Sequence, residues 1–364
     1  MTLAAQPAPV RMENSWILRD VRESHLPAQN KSDSGEIILF MRDESWVLFD
    51  VLEEFRRCET GPRTLWLYGA PGIGKSTLLY GWSHYVASNF NIPIVWIHSD
   101  GPEWYVVQLR GSTARVAHLV TFVAFDVNTL CNLCEGADLV VLDAIREQMT
   151  YALIALRQRS AERRLIASTS YRCGGFSSEQ SVVVPFTRHV MFSWTLAQYE
   201  AARELLLPDV TVDALRELYC YAGGSLRLLL SNNISSVKTF LDDKIEFIDD
   251  PGKVLSGLAG QSAPAYINSL MQQLSAESIS TPVSEYAKSQ LVKKCGLSFV
   301  KSAKSVLGEN RSFQGWIFEL EFITRAKMSR KSEPLKLFLR DPASKSSVED
   351  KLLVVNHVEV YSDS

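Results

Sequence analysis

The sequence predicts an α/β fold built on a doubly wound parallel β-sheet, and three observations support this prediction. Short apolar runs typical of buried strands alternate with segments of helical periodicity between residues 36 and 194. One of these runs leads through a glycine-rich bend into a helix. A later run ends in an aspartate, at the end of a strand where ligands bind in open parallel sheets.

The composition is that of a folded protein. The 364 residues are 46% hydrophobic and 22% charged, and their number allows two or three domains. The formal net charge of −3 is too small to predict a polyanionic partner for the whole chain. No apolar run approaches the ~18 residues of a membrane helix, so no membrane association is predicted. Residues 1–35 are predicted to be a flexible leader, without the basic start and long apolar core of a signal peptide.

Two elements are predicted before the glycine-rich bend. Residues 36–40 (EIILF) predict a short strand. The apolar spacing from Trp46 to Phe55 predicts a helix that leads into the α/β domain.

The glycine-rich bend lies within LWLYGAPGIGKSTLLYGW, between a predicted strand at residues 65–68 and a predicted helix from Ser76 onward. Glycines allow main-chain N–H groups to turn inward, and the helix N-terminus adds its positive end. A lysine at this position reaches the β- and γ-phosphates of a nucleotide, and the next hydroxyl can ligate Mg²⁺. An accidental glycine turn would lack this strand and helix context. We therefore predict a P-loop that binds a nucleoside di- or triphosphate through the residues Gly69, Ala70, Pro71, Gly72, Ile73, Gly74, Lys75, Ser76 and Thr77. The preceding helix would then lie beside the nucleotide base or simply pack on the sheet.

Three elements are predicted after the P-loop helix. Residues 92–98 (IPIVWIH) predict a second buried strand, and the alternating pattern of residues 103–124 predicts a β-hairpin, an unusual insertion for such a domain. Residues 127–135 predict a short helix with a lone C-x-x-C, Cys131 and Cys134. This pair fits two buried, reduced thiols better than a zinc or redox site.

A second nucleotide-binding motif is the stretch GADLVVLD at residues 136–143. Four apolar residues that end in an aspartate predict a buried strand whose tip can hold a magnesium-bound water, as in a Walker B motif. Any buried strand can end in aspartate, but the position of this one after the P-loop supports the assignment. Asp143 is therefore predicted to bind Mg²⁺ together with Ser76.

The predicted sheet is completed after a helix at residues 146–161. Arg164–Ser170 (RLIASTS) predicts a strand whose polar end faces the ligand. Ser168 or Thr169 can there sense the γ-phosphate, or both can be an ordinary polar strand end. Residues 189–194 (HVMFSW) predict the fifth strand.

From Thr195 onward the pattern becomes helical. Leu196–Leu206 and residues 212–221 predict two helices, and Gly223-Gly224-Ser225 predicts the end of one helix and the cap of the next. Arg227 then lies in a first turn, where a cation opposes the helix dipole at a cost of roughly a few tenths of a kcal/mol. A role as a phosphate sensor would explain that cost, and a plain surface arginine is the alternative.

Taken together, these motifs resemble the Crinkler effectors and the related retrotransposon hot spot proteins. The resemblance is carried by FMRDESW, GAPGIGKSTLL, LVVLD, AGGSLRLLL and FQGWIFELEFITR, and it extends over residues 36–330. It implies a P-loop ATPase of the AAA/STAND type, in several members followed by a restriction-endonuclease-like domain. By this resemblance Lys75 and Ser76 would hold phosphate and magnesium, Asp143 would support the metal and Arg227 would sense the nucleotide. It also implies a nuclear protein, in a host cell's nucleus if it is a secreted effector; otherwise a cytoplasmic location is expected.

The residue after Asp143 departs from the family pattern. It is Ala144, where hydrolytic AAA-type enzymes usually have a glutamate that activates water. Glu147, one helical turn later, is the nearest substitute, and Arg172 could assist in cis or from a neighbouring subunit. Loss of a trans arginine alone can cost ~10³–10⁵ in rate, so nucleotide binding is the firmer expectation and turnover the weaker one.

The C-terminal part also departs from the family pattern. Glu319 would be the helix glutamate of a nuclease fold, and residues 348–352 contain Glu-x-Lys at Glu349. A two-metal nuclease needs a further aspartate on a neighbouring strand, whereas Asp341 lies in a Pro/Ser-rich bend, so an incomplete or repurposed module is favoured. Residues 288–345 carry 13 Lys/Arg and 5 Asp/Glu, so they can bind nucleic acid or host nuclear proteins, or form a solvated face.

The sequence thus predicts four parts: a leader at 1–35, a P-loop NTPase domain at 36–194, a helical lid at 195–260 and a mostly helical C-terminal domain at 261–364. The predicted function is Mg²⁺-dependent ATP binding and hydrolysis, with catalytic roles for Lys75, Asp143, Glu147 and Arg227. The alternatives are a nucleotide-gated interaction module with negligible hydrolysis and a DNA-acting protein with a nuclease-like C-terminal domain. The chain could also act as a homo-oligomer.

Overall fold

A computed structural model describes residues 9, 15–18, 37–100, 103–111, 113–120, 127–145, 150–159, 162–170, 185–258, 265–276, 280–307, 335–339 and 351–355. The chain divides into two compact units, Met1–Lys288 and Ser289–Ser364. Among the described helices, none has the length and apolar character needed to cross a membrane. The four-part division remains a prediction.

The described elements follow the alternation that the sequence predicts. The strands are β1 (Ser15–Leu18), β2 (Ile37–Phe40), β3 (Thr64–Gly69), β4 (Ile94–Asp100), β5 (Glu103–Arg110), β6 (Thr113–Val120), β7 (Leu139–Asp143), β8 (Arg164–Ser170), β9 (Thr187–Val190), β10 (Met271–Gln272), β11 (Thr281–Pro282), β12 (Leu335–Leu339) and β13 (Lys351–Val355). The helices are α1 (Asp43–Arg57), α2 (Lys75–Phe90), α3 (Val127–Leu133), α4 (Thr150–Arg159), α5 (Leu196–Leu206), α6 (Val212–Ala222), α7 (Leu226–Leu229), α8 (Ile234–Glu246), α9 (Pro251–Leu258), α10 (Ala265–Asn268) and α11 (Glu285–Leu307).

The main sheet has the strand order β6-β5-β4-β7-β8-β3-β9. Strands β4, β7, β8, β3 and β9 are parallel, which confirms the predicted α/β class. Strands β5 and β6 add antiparallel pairs at one edge, which confirms the predicted hairpin and makes the sheet mixed. Strand β8 lies between β3 and β7, so the ends of these three strands share one edge of the sheet.

The central parallel strands β7 and β8 are buried along most of their length because both faces of the sheet are covered there. All five residues of β7 (LVVLD) are buried, and only the first and last residues of β8 are partly exposed. Burial of Asp143 at the end of such a strand therefore requires polar partners, which the site supplies.

The fifth parallel strand is shorter than predicted. β9 ends at Val190, and the chain then leaves the sheet. Met191 N still donates to Tyr68 O, but Ser193 N donates to Gln273 O and Trp194 N to Gly224 O. These later residues bind Gln273, just after β10, and Gly224, between α6 and α7, instead of extending the strand.

The helical part after β9 begins with well-capped helices. Thr195 and Gln198 form a capping box at the start of α5, and the Thr211 side chain caps α6. The bounds of α5 and α6 agree with the prediction to within one residue. We call the segment from α5 to α8 the lid.

Outside the main sheet, the first unit contains two small antiparallel pairs. β1 pairs with β2 ahead of α1, and β10 pairs with β11. The second unit contains the larger part of α11, which is interrupted at Gly296 (φ 73°), and an antiparallel pair of β12 with β13. The C-terminal part is therefore helical with a β-hairpin in the residues that the structure describes.

Candidate functional site: the P-loop and its surroundings

The predicted P-loop connects β3 to α2. Gly72 and Gly74 have φ angles of 77° and 101°, in the left-handed region that glycine adopts with little strain. The helix α2 then begins at Lys75, so its N-terminus lies at the loop. The local structure is the strand, glycine loop and helix that the sequence predicted.

Three main-chain carbonyls of the loop are bound by residues outside it. The Trp194 indole Nε1 donates to Ile73 O at 3.1 Å, and the Arg227 main-chain N donates to Gly72 O at 3.2 Å. The Ser225 hydroxyl makes a longer contact, 3.4 Å, with Pro71 O. Because C=O and N–H of one trans peptide unit point in opposite directions, the N–H groups of these three units turn away from Trp194, Ser225 and Arg227. Consecutive N–H groups on one side of a loop are what a phosphate cradle requires.

Lys75 lies inside the loop and is 7% exposed. Its Nζ donates to Gly69 O at 2.9 Å and to Ala70 O at 2.8 Å. Burial lowers the pKa of Lys75 to about 7; the charge of Asp143 opposes this shift, and that of Arg227 adds to it. The ammonium is therefore held at the loop by two neutral acceptors and without a contacting carboxylate among the described residues.

Asp143 forms a buried pair with His98. Its Oδ2 lies 2.7 Å from His98 Nδ1, and the side chains are 0% and 6% exposed. Burial would raise the pKa of Asp143, but the hydrogen bond and charge of His98, helped by the hydroxyls of Ser76 and Ser168, bring it below its usual range. Asp143 is therefore ionised at neutral pH.

The other carboxylate oxygen of Asp143 fits a metal site. Oδ1 is buried and has no hydrogen-bond partner among the described residues. Ser76, in the first turn of α2, influences the same carboxylate. A free carboxylate oxygen beside a hydroxyl is the kind of oxygen donor set that Mg²⁺ uses in phosphate sites.

The two predicted sensor residues on β8 have different surroundings. Ser168 is buried and close enough to lower the pKa of Asp143. The Thr169 hydroxyl instead donates to Ile145 O at 3.1 Å, just after Asp143. Ser168 is thus the one whose hydroxyl acts on the Asp143 carboxylate.

Arg227 lies against the loop. Its main chain binds Gly72, and a Cβ added at Gly72 would lie 2.8 Å from Arg227 Cβ. Its side chain is exposed, and its charge contributes to the lowered pKa of Lys75. The structure therefore brings the predicted sensor arginine to the P-loop.

A cavity lies beside the loop. It is bounded by Ile37–Phe40 of β2, by residues 72–77 and by Leu226, Arg227 and Leu230 of the lid. Helix α1 contributes only Ser45. The wall next to the phosphate loop is thus shared by the strand before α1 and by residues between Met191 and Leu230.

The residue after Asp143 provides no carboxylate. Ala144 is partly exposed and has a φ of 57°, a left-handed conformation that is uncommon for alanine. The substitute base Glu147 and the arginine Arg172 lie outside the described residues. So do the predicted nuclease residues Glu319, Asp341 and Glu349, whose roles stay predictions.

Sequence reasoning missed two residues that build the site. His98 is the last residue of β4 that pairs with β7, and a polar residue in a buried strand was a usable signal. Arg42, in FMRDESW, is 3% exposed; its guanidinium lies 4.7 Å from the Trp194 ring centroid and donates to Ser193 O and Gln198 Oε1, both at 3.1 Å. Burial lowers the pKa of Arg42 to about 10.

The C-x-x-C pair is not part of this site. Cys131 and Cys134 are free and buried, and burial raises the pKa of the Cys134 thiol to about 12. Within the described ranges, no cluster of three or more His, Cys, Asp or Glu residues could hold a metal. A thiol this basic is poorly suited to redox chemistry.

The strand order and the loop define an α/β P-loop fold. No protein-family model matches the sequence, nor does any curated protein. The chain is similar in structure to Orc1 of Aeropyrum pernix, solved in complex with DNA, at 12% identity and a TM-score of 0.38, over 60% of this chain and 71% of that one. It is also similar to AMPPCP-bound DnaA of Aquifex aeolicus, at 12% identity and a TM-score of 0.35, over 78% of this chain and 94% of that one.

A third similar structure is a STAND protein with a tetratricopeptide repeat sensor from Pyrococcus horikoshii. It is 12% identical with a TM-score of 0.29, and the match covers 77% of this chain and 48% of that one. This chain therefore spans about half the length of that protein.

Proposed function

We propose that this protein binds ATP with Mg²⁺ at the P-loop and hydrolyses it. The observation that carries the proposal is the attachment of three consecutive loop carbonyls to Trp194, Ser225 and Arg227, which turns the N–H groups of the same peptide units away from these residues. Polyphosphate is the ligand class that such a row of N–H groups at a helix N-terminus binds best. The partly apolar cavity next to β2 would accommodate the base.

In the proposed mechanism Lys75 and Arg227 would neutralise negative charge on the phosphates, and Ser76 and Asp143 would hold the metal ion. Lys75 would move from the carbonyls of Gly69 and Ala70 to the β- and γ-phosphates, and Arg227 would neutralise charge that develops on the γ-phosphate. Ser76 and Asp143 would hold Mg²⁺. When bound, the ion would neutralise charge on the β- and γ-phosphates.

A second function, a nucleotide-gated interaction module, is supported by Ala144. A residue without a carboxylate follows Asp143, so no water-activating base is present at that position. The lid residues that bind the loop carbonyls would then report the nucleotide to a partner. Nucleotide binding is common to both functions, and only turnover separates them.

The experiment compares wild type with Lys75→Ala and with the control Lys253→Ala, a partly exposed lysine that pairs with Asp249 on the surface. Affinity would be measured with a fluorescent ATP analogue, and turnover by phosphate release. We expect Lys75→Ala to weaken binding at least about tenfold and to abolish release, since it removes a phosphate contact, while Lys253→Ala behaves as wild type. Unchanged binding by Lys75→Ala would refute the site, and binding without any phosphate release would favour the switch.

The biological role is a separate proposal that rests on the sequence motifs. We propose a Crinkler-like protein that acts in the nucleus, with residues 288–345 as the surface for nucleic acid or nuclear proteins. A fluorescent fusion in which the basic residues of RAKMSRK (325–331) are changed to alanine should lose nuclear accumulation. An equal nuclear signal from this fusion and from the fusion with the unchanged sequence would contradict this role for the segment.

A further inference from the structure

His98 and Asp143 face each other across two neighbouring parallel strands. In the register of β4 with β7, His98 is directly opposite Asp143. Each residue lies at the carboxyl end of this parallel pairing, on the edge of the sheet where β3 also ends and the P-loop begins. The contact of 2.7 Å between Nδ1 and Oδ2 therefore follows from the sheet itself.

The direction of this hydrogen bond follows from the chemistry of a carboxylate that binds a metal. An ionised carboxylate only accepts, so His98 Nδ1 carries the proton and donates to Oδ2. One carboxylate oxygen is thereby occupied, and the other, Oδ1, is buried without a partner in the described part of the chain. The carboxylate is thus held in one orientation with a single oxygen left over.

The His98 ring is itself held by packing. It stacks on Trp96 with the ring planes 2° apart and the centroids 5.2 Å apart. Trp96 in turn makes an edge contact of 5.1 Å with Tyr80 on α2, the helix that begins at the P-loop. All three aromatic side chains are buried. The imidazole therefore has little freedom to turn away from Asp143.

We propose that His98 is a positioning residue that orients Asp143, so that Oδ1 faces the magnesium ion of the bound nucleotide. This inference rests on the proposed function, because it concerns the metal of the same site. A hydrogen-bond donor to one carboxylate oxygen orients the other oxygen toward a bound metal. Loss of such a donor typically lowers the metal affinity 10–100-fold.

Two substitutions separate the hydrogen bond from the ring. His98→Phe keeps an aromatic ring to stack on Trp96 but removes the donor. His98→Asn removes the ring but can place an amide N–H at the position of Nδ1, because both atoms are bonded to Cγ. His84→Phe is the matched control, since His84 is also buried and contacts Tyr80 but does not contact Asp143 in the structure.

The measurement is the affinity for a fluorescent ATP analogue as Mg²⁺ is titrated from EDTA to excess. We expect His98→Phe to raise the Mg²⁺ concentration at half-effect by about 10–100-fold, while the affinity in EDTA stays that of wild type. His98→Asn should recover most of the loss, and His84→Phe should not shift the midpoint. An unshifted midpoint in His98→Phe, or the same shift in His84→Phe, would overturn the inference.

The two proposals fail in different ways in this experiment. A wild-type protein that binds no nucleotide would remove the proposed function and this inference with it. Nucleotide binding that persists in His98→Phe with an unchanged response to Mg²⁺ would remove the inference alone. If His98→Phe does not fold, the NMR resonance of His98 Nδ1–H in the wild-type protein tests the inference instead. This resonance should shift when nucleotide and Mg²⁺ are added but not when nucleotide is added in EDTA. An equal shift under both conditions would overturn the inference.

Discussion

The lowered pKa of Lys75 predicts that nucleotide binding takes up a proton. Lys75 is buried against the carbonyls of Gly69 and Ala70, and burial brings its pKa from 10.5 to about 7. A bound polyphosphate would place several negative charges beside the amine. A nearby opposite charge favours the protonated form, so the pKa of Lys75 should return well above 8 in the complex.

The size of the uptake follows from this pKa. At pH 8 an amine with a pKa of about 7 is roughly one-tenth protonated, so charging it fully takes up about 0.9 proton for each nucleotide bound. At pH 7 the same amine is about half protonated, and the uptake should fall to about 0.5. The trend with pH therefore identifies the group as well as the direction.

Isothermal titration calorimetry measures this number. ATP would be titrated into the protein in HEPES and in Tris at the same pH, since the difference in observed enthalpy divided by the difference in buffer ionisation enthalpy gives the protons exchanged. Lys75→Arg is the control, because a guanidinium stays charged when it is buried and should take up none. Uptake below about 0.3 proton at pH 8, or equal uptake in Lys75→Arg, would refute the assignment to Lys75.

Three further predictions concern stability and the loop. Lys75→Met should raise the melting temperature at pH 6.5 and raise it less at pH 10. Burial lowers the pKa of Lys75 from 10.5 to about 7, so its charge destabilises the folded protein fully below pH 7 and progressively less as the pH approaches 10.5. Calorimetric scans at pH 6.5 and 10 test this, and an equal rise in melting temperature at both would contradict it. Glu53→Ala should lower the free energy of unfolding by about 2–4 kcal/mol, since it removes the carboxylate that accepts a hydrogen bond at 3.0 Å from the buried indole of Trp82. Urea unfolding measures this, and an unchanged free energy of unfolding would show that the hydrogen bond does not stabilise the fold. Gly72→Ala should weaken nucleotide binding more than Gly74→Ala. Both positions have positive φ and share a strain of roughly 1–2 kcal/mol, but only at Gly72 would the new Cβ meet a lid hydroxyl, that of Ser225 at 2.7 Å. Equal losses of ATP affinity in the two variants would argue against the lid contact.

The P-loop and the sheet were predictable because their signals are local. The apolar strand at β3, the glycine spacing and the helix from Lys75 lie within one short stretch, and each depends on backbone conformation or on burial of a single element. β7 was predictable for the same reason, as a fully apolar run that ends in Asp143. Antiparallel pairing of β5 with β6 follows from their alternation and short turn.

The contacts that complete the site could not be predicted, because they join distant parts of the chain. Trp194 binds a loop carbonyl 121 residues away, and His98 binds Asp143 across 45 residues. Each contact depends on strand order, which periodicity does not reveal. The end of β9 at Val190 could not be predicted for the same reason. Residues 193 and 194 bind Gln273 and Gly224, which lie far along the chain, instead of pairing in the sheet.

The lid contacts also bear on how a nucleotide could act at a distance. Three loop carbonyls are bound by the lid or the segment leading into it, and Arg42 joins the chain before α1 to the same segment through Ser193 and Gln198. A movement of the loop peptides on phosphate binding must therefore break or shift hydrogen bonds to Trp194 and α7. Because each such bond contributes only about 0.5–1.5 kcal/mol net, a polyphosphate could redistribute them without unfolding the lid. Hydrogen bonds to the loop carbonyls thus couple the loop to the lid and to the segment leading into it, whether or not the nucleotide is hydrolysed. A switch and an ATPase would share this property.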